Sequence, residues 1–314
     1  MEFAFRSLFA NGEPFFERHR RMRILSHHSM KHSFRFYLWL IVFLSALPLS
    51  LFAQVTSRID GPGAKSTARS GEESRQKISK SDVQKSFLEI ESFLQNENTW
   101  PQAESKYDFL LKQDLSIADR EVIQKALEHL RMKTLFSKVP TPDSLFYAVS
   151  GGDSLNRIAK KYHTTAELIQ KANGLKNSVI RPGMKLKITK ARFHVQVDKS
   201  ENKLRLFVGD KLLKTYSVAT GKNNSTPVGT FTIENKLIDP VWYKTGAVIP
   251  SGSPDNILGT RWLGFSLAGY GIHGTTLPET IGMQASDGCV RMHNEDVEEL
   301  FDIVPLRTVA TVVD

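Results

Sequence analysis

The sequence predicts a multidomain α+β protein: a helical N-terminal region, a small strand–helix–helix–strand module and a C-terminal β-rich domain. Three observations lead there. Apolar residues recur at helical spacing across residues 82–138, four brief elements follow across 146–190, and alternation with frequent turn residues takes over from 192 to 314. A length of 314 residues accommodates such a division. An apolar content of 40% with 24% charged residues fits a globular chain, not a disordered or collagenous one.

In the first of these regions Val83, Phe87, Ile90 and Leu94 share one helical face. Trp100-Pro101 punctuates, Tyr107, Leu110 and Leu111 continue the pattern, and Asp119 opens a stretch carrying Val122, Ile123, Leu127 and Leu130. Two or three antiparallel helices are expected, forming a spacer or docking bundle, with Val139–Pro142 as a stiff linker after it. No 34-residue period marks it as a repeat.

Ahead of this region, Phe36 to Ala53 reads FYLWLIVFLSALPLSLFA, uncharged and mostly apolar. Its length lies at the border between a signal-peptide core and a membrane span. Residues 1–53 are therefore expected to be a leader holding a signal peptide or membrane anchor, with Met30 as the expected true start. No cysteine follows the apolar core, which argues against a lipoprotein anchor. Residues 54–81, rich in Ser, Gly, Lys and Arg, read as a flexible linker. The net charge of +9 divides into +4 over residues 1–53 and +5 over the remainder. No dense basic block with interleaved aromatics occurs, which argues against nucleic-acid binding.

Within 146–190, Phe146–Val149 is a short strand and Gly151-Gly152-Asp153 a turn ending in a helix N-cap. Leu155, Ile158 and Ala159 form one helical face, and Thr164 with Glu167 has capping-box spacing before a second helix. Asn173-Gly174 closes that helix, and Pro182-Gly183 turns into the strand Lys185–Ile188. Tyr147, Val149, Gly152-Asp153-Ser154-Leu155, Ile158-Ala159, Leu168, Asn173, Ile180, Pro182-Gly183 and Leu186 together resemble a LysM domain. That resemblance implies binding of N-acetylglucosamine-containing glycans such as peptidoglycan. The groove would lie between residues 151–154 and 177–181, with Gly152, Asp153, Ser154 and Ile180 as candidate contacts.

Beyond residue 192, His194, Gln196 and Asp198 alternate with Phe193, Val195 and Val197. Strands Lys203–Val208 and Leu213–Ala219 follow around Gly209-Asp210, then Thr230–Ile233. Asn294 reads as the N-cap of a closing helix with an acidic first turn.

The single cysteine, Cys289, excludes an internal disulfide framework and a Cys-rich zinc module. A lone thiol is either a packing residue or a reactive group, and outside the cytoplasm an unpaired thiol is exposed to oxidation. At neutral pH only a few per cent of an ordinary thiol is ionised, so a nucleophilic cysteine needs a base. His273, sixteen residues earlier, can supply it by taking the proton and forming an ion pair. Gly288 permits close approach, N–H groups around Gly288 and Cys289 could bind an oxyanion, and Arg291 could favour the thiolate or bind a carboxylate. From spacing alone this pair is only suggestive. Inert packing and a zinc site of His273, Cys289 and His293 remain alternatives, the latter lacking a fourth ligand. His194 falls inside a strand pattern and reads as structural, and His129 and His163, in helical segments, read as surface or partly buried groups.

The words IHGTTLPETIGMQASDGCVRM carry more, together with Thr226–Phe231, Leu258–Trp262 and Asn294–Val297. They resemble the YkuD-type L,D-transpeptidase catalytic domain over about residues 192–314. The resemblance implies a β-sandwich-like fold. It also implies Cys289 as nucleophile, His273 as base and Gly274 as the residue whose carbonyl orients the imidazole, with neither metal nor cofactor. Ser286, Gly288, Arg291, Trp262 and Tyr243 are candidate oxyanion or substrate contacts. Many members carry histidine two residues before the cysteine; here stands Asp287. The expected protein is exported, resides in the periplasm or cell wall, and joins peptidoglycan stems by 3→3 cross-links. Rival outcomes are an L,D-carboxypeptidase using water, an enzyme attaching protein lysines with the same thioester, and a non-catalytic wall-binding protein.

Overall fold

The structure is a computed structural model that describes residues 78–244 and 246–314. The leader, the apolar segment 36–53 and nearly all of the linker 54–81 lie outside the described residues. No helix among the described residues is long and apolar enough to cross a membrane.

Three helices open the described chain: α1 (Lys80–Leu94), α2 (Trp100–Leu111) and α3 (Ile117–Leu135). α1 starts two residues before the sequence-based boundary, because Ser79 caps it by accepting from Asp82 N. Ser116 caps α3 in the same way through Asp119 N, so Asp119 lies in the first turn and does not open the helix. Ile90, Trp100, Ala103, Tyr107, Ile123 and Leu127 bury their side chains between the three helices.

The next module runs β1 (Ser144–Ala148), α4 (Leu155–Tyr162), α5 (Ala166–Ala172) and β2 (Lys185–Thr189), with β1 antiparallel to β2. Ser154 caps α4, and Thr165 caps α5. The expected cap at Thr164 is displaced by one residue, since it is Thr165 Oγ1 that accepts from Leu168 N at 3.0 Å.

The β-rich part contains β3 (Phe193–Asp198), β4 (Lys203–Val208), β5 (Lys211–Ser217), β6 (Thr220–Gly221), β7 (Gly229–Ile238), β8 (Trp242–Lys244), β9 (Ala247–Ile249), β10 (Arg261–Phe265), β11 (Gly271–His273), β12 (Gln284–Ser286), β13 (Val290–Arg291), α6 (Asn294–Ile303) and β14 (Val309–Val313). Eight of these strands form one sheet in the order β13-β11-β10-β7-β14-β3-β4-β5. The long β7 changes partner midway. Gly229–Thr232 pairs with β14, and Ile233–Ile238 pairs with β10. A strand shared this way lets one sheet turn over on itself around a common core. Val195 and Leu204 from one half meet Leu263, Ile272 and Val290 from the other, with Leu300 of α6 among them.

The helical region, expected as a spacer or docking bundle, packs against the β-rich part. Met132 and Leu135 of α3 enter the core of the β-rich part. Glu128 accepts from Thr215 N at 3.1 Å and Thr215 Oγ1 at 3.0 Å. Arg131 grips Glu104 at 3.0 Å and Asp108 at 2.8 Å, and donates to Leu212 O at 2.7 Å. The small module is held by Lys187, only 1% exposed, which donates from Nζ to Thr134 O at 2.9 Å and Ser137 O at 3.0 Å at the end of α3. A cation there meets the negative end of the helix dipole. Lys171 pairs with Asp302 of α6 at 2.6 Å, and Thr165 Oγ1 donates to Asp302 O.

Burial pushes the Lys187 ammonium down to about 8. Between about pH 8 and its ordinary value of 10.5 the unfolded chain holds more protons at this site than the folded one. Lys187 therefore adds stability as pH rises through that window, and the increment disappears as pH falls towards 8. Lys236 shows the same shift, so the difference between wild type and Lys187→Met isolates one site. Denaturant unfolding of the two proteins should give a gap that changes between pH 8 and 10.5. A gap independent of pH would contradict the burial of a titrating amine.

Candidate functional site

The site is built on β11 and β13, which run parallel with Ile272 opposite Val290 and His273 opposite Arg291. Cys289 occupies the bend just before β13, two residues ahead of Arg291, the partner of His273. Neighbours across a strand pair share a face, as do residues two apart along a strand. The pairing thus brings the thiol and the imidazole to the same region of one sheet edge.

His273 is 2% exposed. One ring nitrogen, Nδ1, lies 2.7 Å from Gly274 O. With the proton on Nδ1 donated to that carbonyl, Nε2 is left as the basic nitrogen. Trp262, the cross-strand partner of His273, stacks on the ring at 5.8 Å between centroids and 22° between planes. Its own Nε1 donates to Asn235 Oδ1 at 2.9 Å. Trp262 therefore acts on the imidazole's position.

Gly274 is dictated by close approach. A Cβ there would sit 2.1 Å from Asn294 Oδ1. That amide oxygen accepts from Thr260 N at 3.2 Å and Thr275 N at 3.1 Å, while Asn294 Nδ2 donates to Thr275 O at 3.0 Å. Asn294 is consequently not the helix cap expected from sequence. His293 takes the cap position without a side-chain hydrogen bond, and the Asn294 amide clips two loops around the imidazole. An asparagine before an acidic turn reads as a cap, so no local signal announces the second use.

The cysteine turn is equally constrained. Gly288 has φ +122°, and a Cβ there would lie 2.8 Å from the Tyr270 ring. Ser286 Oγ donates to Cys289 O at 2.6 Å and accepts from Gly288 N at 3.1 Å. The Gly288 N–H is thus engaged, which removes it from the oxyanion role suggested by the sequence. Cys289 Sγ faces Gly269 O at 3.5 Å. Arg291 is buried, its backbone bridged to Ala219, and its side-chain Nε has no hydrogen-bond partner among the described residues. Tyr243 stands 75% exposed on the β8–β9 hairpin and makes no hydrogen bond or ring contact with the cysteine turn among the described residues.

The electrostatics correct one expectation. Burial pushes His273 down to about 4; the carbonyls of Gly274 and Ile257 oppose this and the Arg291 charge reinforces it. Burial also raises the Cys289 thiol, against the pull of Gly271 N–H and Arg291, with Asp287 raising it further. Both partners are thereby held neutral at rest. Residue types suggest an ion pair; burial of both groups favours the neutral pair instead.

In the small module, Asp153 Oδ2 accepts from Tyr147 OH and Ser150 N, both at 2.8 Å. Ser154 Oγ accepts from Arg157 N at 3.2 Å. Gly152 has φ +81°, and its carbonyl accepts from Arg157 Nη1 at 2.6 Å. Ile180 packs on the module's core. These four candidates build the turn and the loop that would flank a glycan; Val179, beside Ile180, is exposed.

A family model for the L,D-transpeptidase catalytic domain (YkuD) matches residues 192–313, and a LysM domain model matches residues 147–189. Among curated relatives, YqjB of Bacillus subtilis is 42% identical over 127 residues, covering 38% of this chain and 71% of its own. YkuD of Bacillus subtilis is 38% identical over 176 residues, covering 54% of this chain and 98% of its own. An L,D-transpeptidase from Mycobacterium smegmatis, a solved structure, aligns with a TM-score of 0.34 and 20% identity over 42% of this chain and 64% of that chain. The chain spans less than two thirds of that solved chain.

Two outcomes follow from the geometry. Alkylation of Cys289 by iodoacetamide should stay slow at neutral pH and rise only above the ordinary thiol range; a midpoint below pH 7 would contradict a neutral pair. Asn294→Ala strands two backbone N–H groups and should lower unfolding stability by about 2–6 kcal/mol, at roughly 1–3 kcal/mol per unsatisfied group. A denaturant midpoint equal to wild type would show that the clip is unimportant.

Proposed function

The chain belongs to the L,D-transpeptidase family, and from that premise we propose an exported acyltransferase that forms 3→3 cross-links between peptidoglycan stems. Cys289 attacks the carbonyl carbon of the third, diamino-acid residue in a donor tetrapeptide stem. As the S–C bond forms, the thiol proton passes to His273. The C–N bond to the terminal D-alanine breaks, and His273 hands the proton to the leaving amine. A thioester on Cys289 remains. An amine from a neighbouring stem then forms a new C–N bond at the same carbon, the C–S bond breaks, and His273 relays the amine's proton back to sulfur.

The observation that carries this reading is the buried imidazole fixed to Gly274 O, one strand from the turn that bears the thiol. Burial keeps it unprotonated and ready as a base. Arg291, buried with an uncommitted Nε, supports binding of a substrate carboxylate or a developing oxyanion. The LysM module supports attachment to glycan strands through the wall of Gly152, Asp153, Ser154 and Ile180, raising the local concentration of stems. The apolar segment 36–53 supports export.

Incubation with disaccharide tetrapeptides and mass spectrometry tests the chemistry. Wild type should show a thioester adduct on Cys289 and a cross-linked dimer, and Cys289→Ala neither. Turnover retained by Cys289→Ala would sink the mechanism, and a tripeptide product without dimer would assign water as the acceptor. Because His273 is unprotonated above about pH 4, kcat/KM for thioester formation should hold steady from pH 7 down to about pH 5. A loss centred near pH 6.5 would mean an imidazole of ordinary basicity.

A further inference from the structure

Asp287 lies two residues before the nucleophile, on the turn between β12 and β13. Its side chain is 85% exposed, and no hydrogen bond reaches its carboxylate among the described residues. Its ion-pair partner is Lys222, itself exposed, with Nζ 3.9 Å from Asp287 Oδ1. That separation exceeds a hydrogen bond, so the pair is loose and open to replacement. The surroundings are fixed. Ser286 is bonded on both sides, and Gly288 packs on Tyr270. A Cβ on Gly221, just before Lys222, would lie 3.0 Å from Gly288 Cα. Gly221 N donates to Thr226 Oγ1 at 2.8 Å, and buried Lys199 donates to Thr226 O at 3.0 Å while pairing with Asp314 at 2.8 Å.

For the first half of the reaction this carboxylate is a hindrance. Two charged side chains act on the thiol, Arg291 as a cation and Asp287 as an anion, and Asp287 opposes formation of the thiolate. Its placement makes sense in the second half. The incoming amine is an ammonium ion in neutral water, and Arg291 and Lys222 present it with positive charge. Asp287 supplies the opposite sign at the mouth of the site. We propose that Asp287 docks the ammonium group of the acyl acceptor beside Cys289, displacing Lys222, and so sets the preference for an amine over water. The inference rests on the thioester chemistry proposed above. The docked ammonium gives one proton to solvent, and the free amine attacks the thioester carbon. The C–N bond forms, the C–S bond breaks, and the amine's second proton passes through His273 to sulfur. Asp287 binds and takes no proton.

The test measures how the Cys289 thioester of the full chain divides between amine and water. Wild type, Asp287→Asn and Asp287→Glu are each given a donor tetrapeptide with one of two nucleophiles. One is a stem peptide carrying an ammonium; the other is hydroxylamine, which is mostly uncharged at neutral pH. Asp287→Asn should lower the partition to the stem amine about three- to fivefold, as expected for an exposed ion pair, and leave the partition to hydroxylamine unchanged. Asp287→Glu should restore much of the loss. Added salt should weaken the stem preference of wild type and not that of Asp287→Asn. An equal loss for both nucleophiles, or no loss, overturns the proposal. A wild-type protein that forms no Cys289 thioester overturns the reading beneath it, a result distinct from an unchanged partition.

Discussion

The parallel pairing of β11 with β13 is the constraint on which the chemistry rests. It covers only two residue pairs, too few to persist alone, and hydrogen bonds at and around it secure it. Asn294 clips the turn after His273 to the loop at Thr260. Met292 N donates to His273 O at 2.8 Å. Ala219 and Arg291 exchange both backbone hydrogen bonds at 2.9 Å. Each acts on backbone, so the imidazole and the thiol are positioned before any substrate arrives.

Burial then sets the protonation of what the backbone has positioned. Desolvation disfavours the charged form of each partner, and the two shifts have opposite consequences for a proton transfer. A weakly basic imidazole keeps its lone pair at neutral pH, and a high thiol value keeps the sulfur protonated. Carbonyls on the ring and the Gly271 N–H on the sulfur soften both shifts. Burial of this kind keeps an unpaired cysteine in a chemically quiet form.

Much of this architecture could be read from the residues in order. Alternation in Phe193–Asp198 and Lys203–Val208 corresponds to β3 and β4, and Gly209-Asp210 to the turn that follows them. The residue types of His273 and Cys289 make the pair a candidate, because side-chain chemistry narrows what such a pair can do, while their spacing alone is only suggestive. The remainder depended on distant partners. Asn294 satisfies a local capping rule and is used elsewhere. Trp262 stands among the candidate substrate contacts, and its stacking on His273 follows from a register that no local pattern encodes. Resting protonation also lay out of reach, since residue types alone favour an ion pair and only depth of burial reverses it. The particular contacts of the helical region lay out of reach for a similar reason: Glu128 and Arg131 look like solvent-facing charges until Thr215 and Leu212 meet them.

That docking changes what a glycan-binding module can contribute. A module on a loose leash delivers its catalyst to a spherical neighbourhood and averages over every orientation the leash allows. Here Lys187 plugs the small module into the end of α3, and α3 enters the core of the β-rich part. The two potential contact surfaces of the protein are then parts of a single calliper. A link of this kind fixes the distance and angle between the two surfaces, where a leash would average over them.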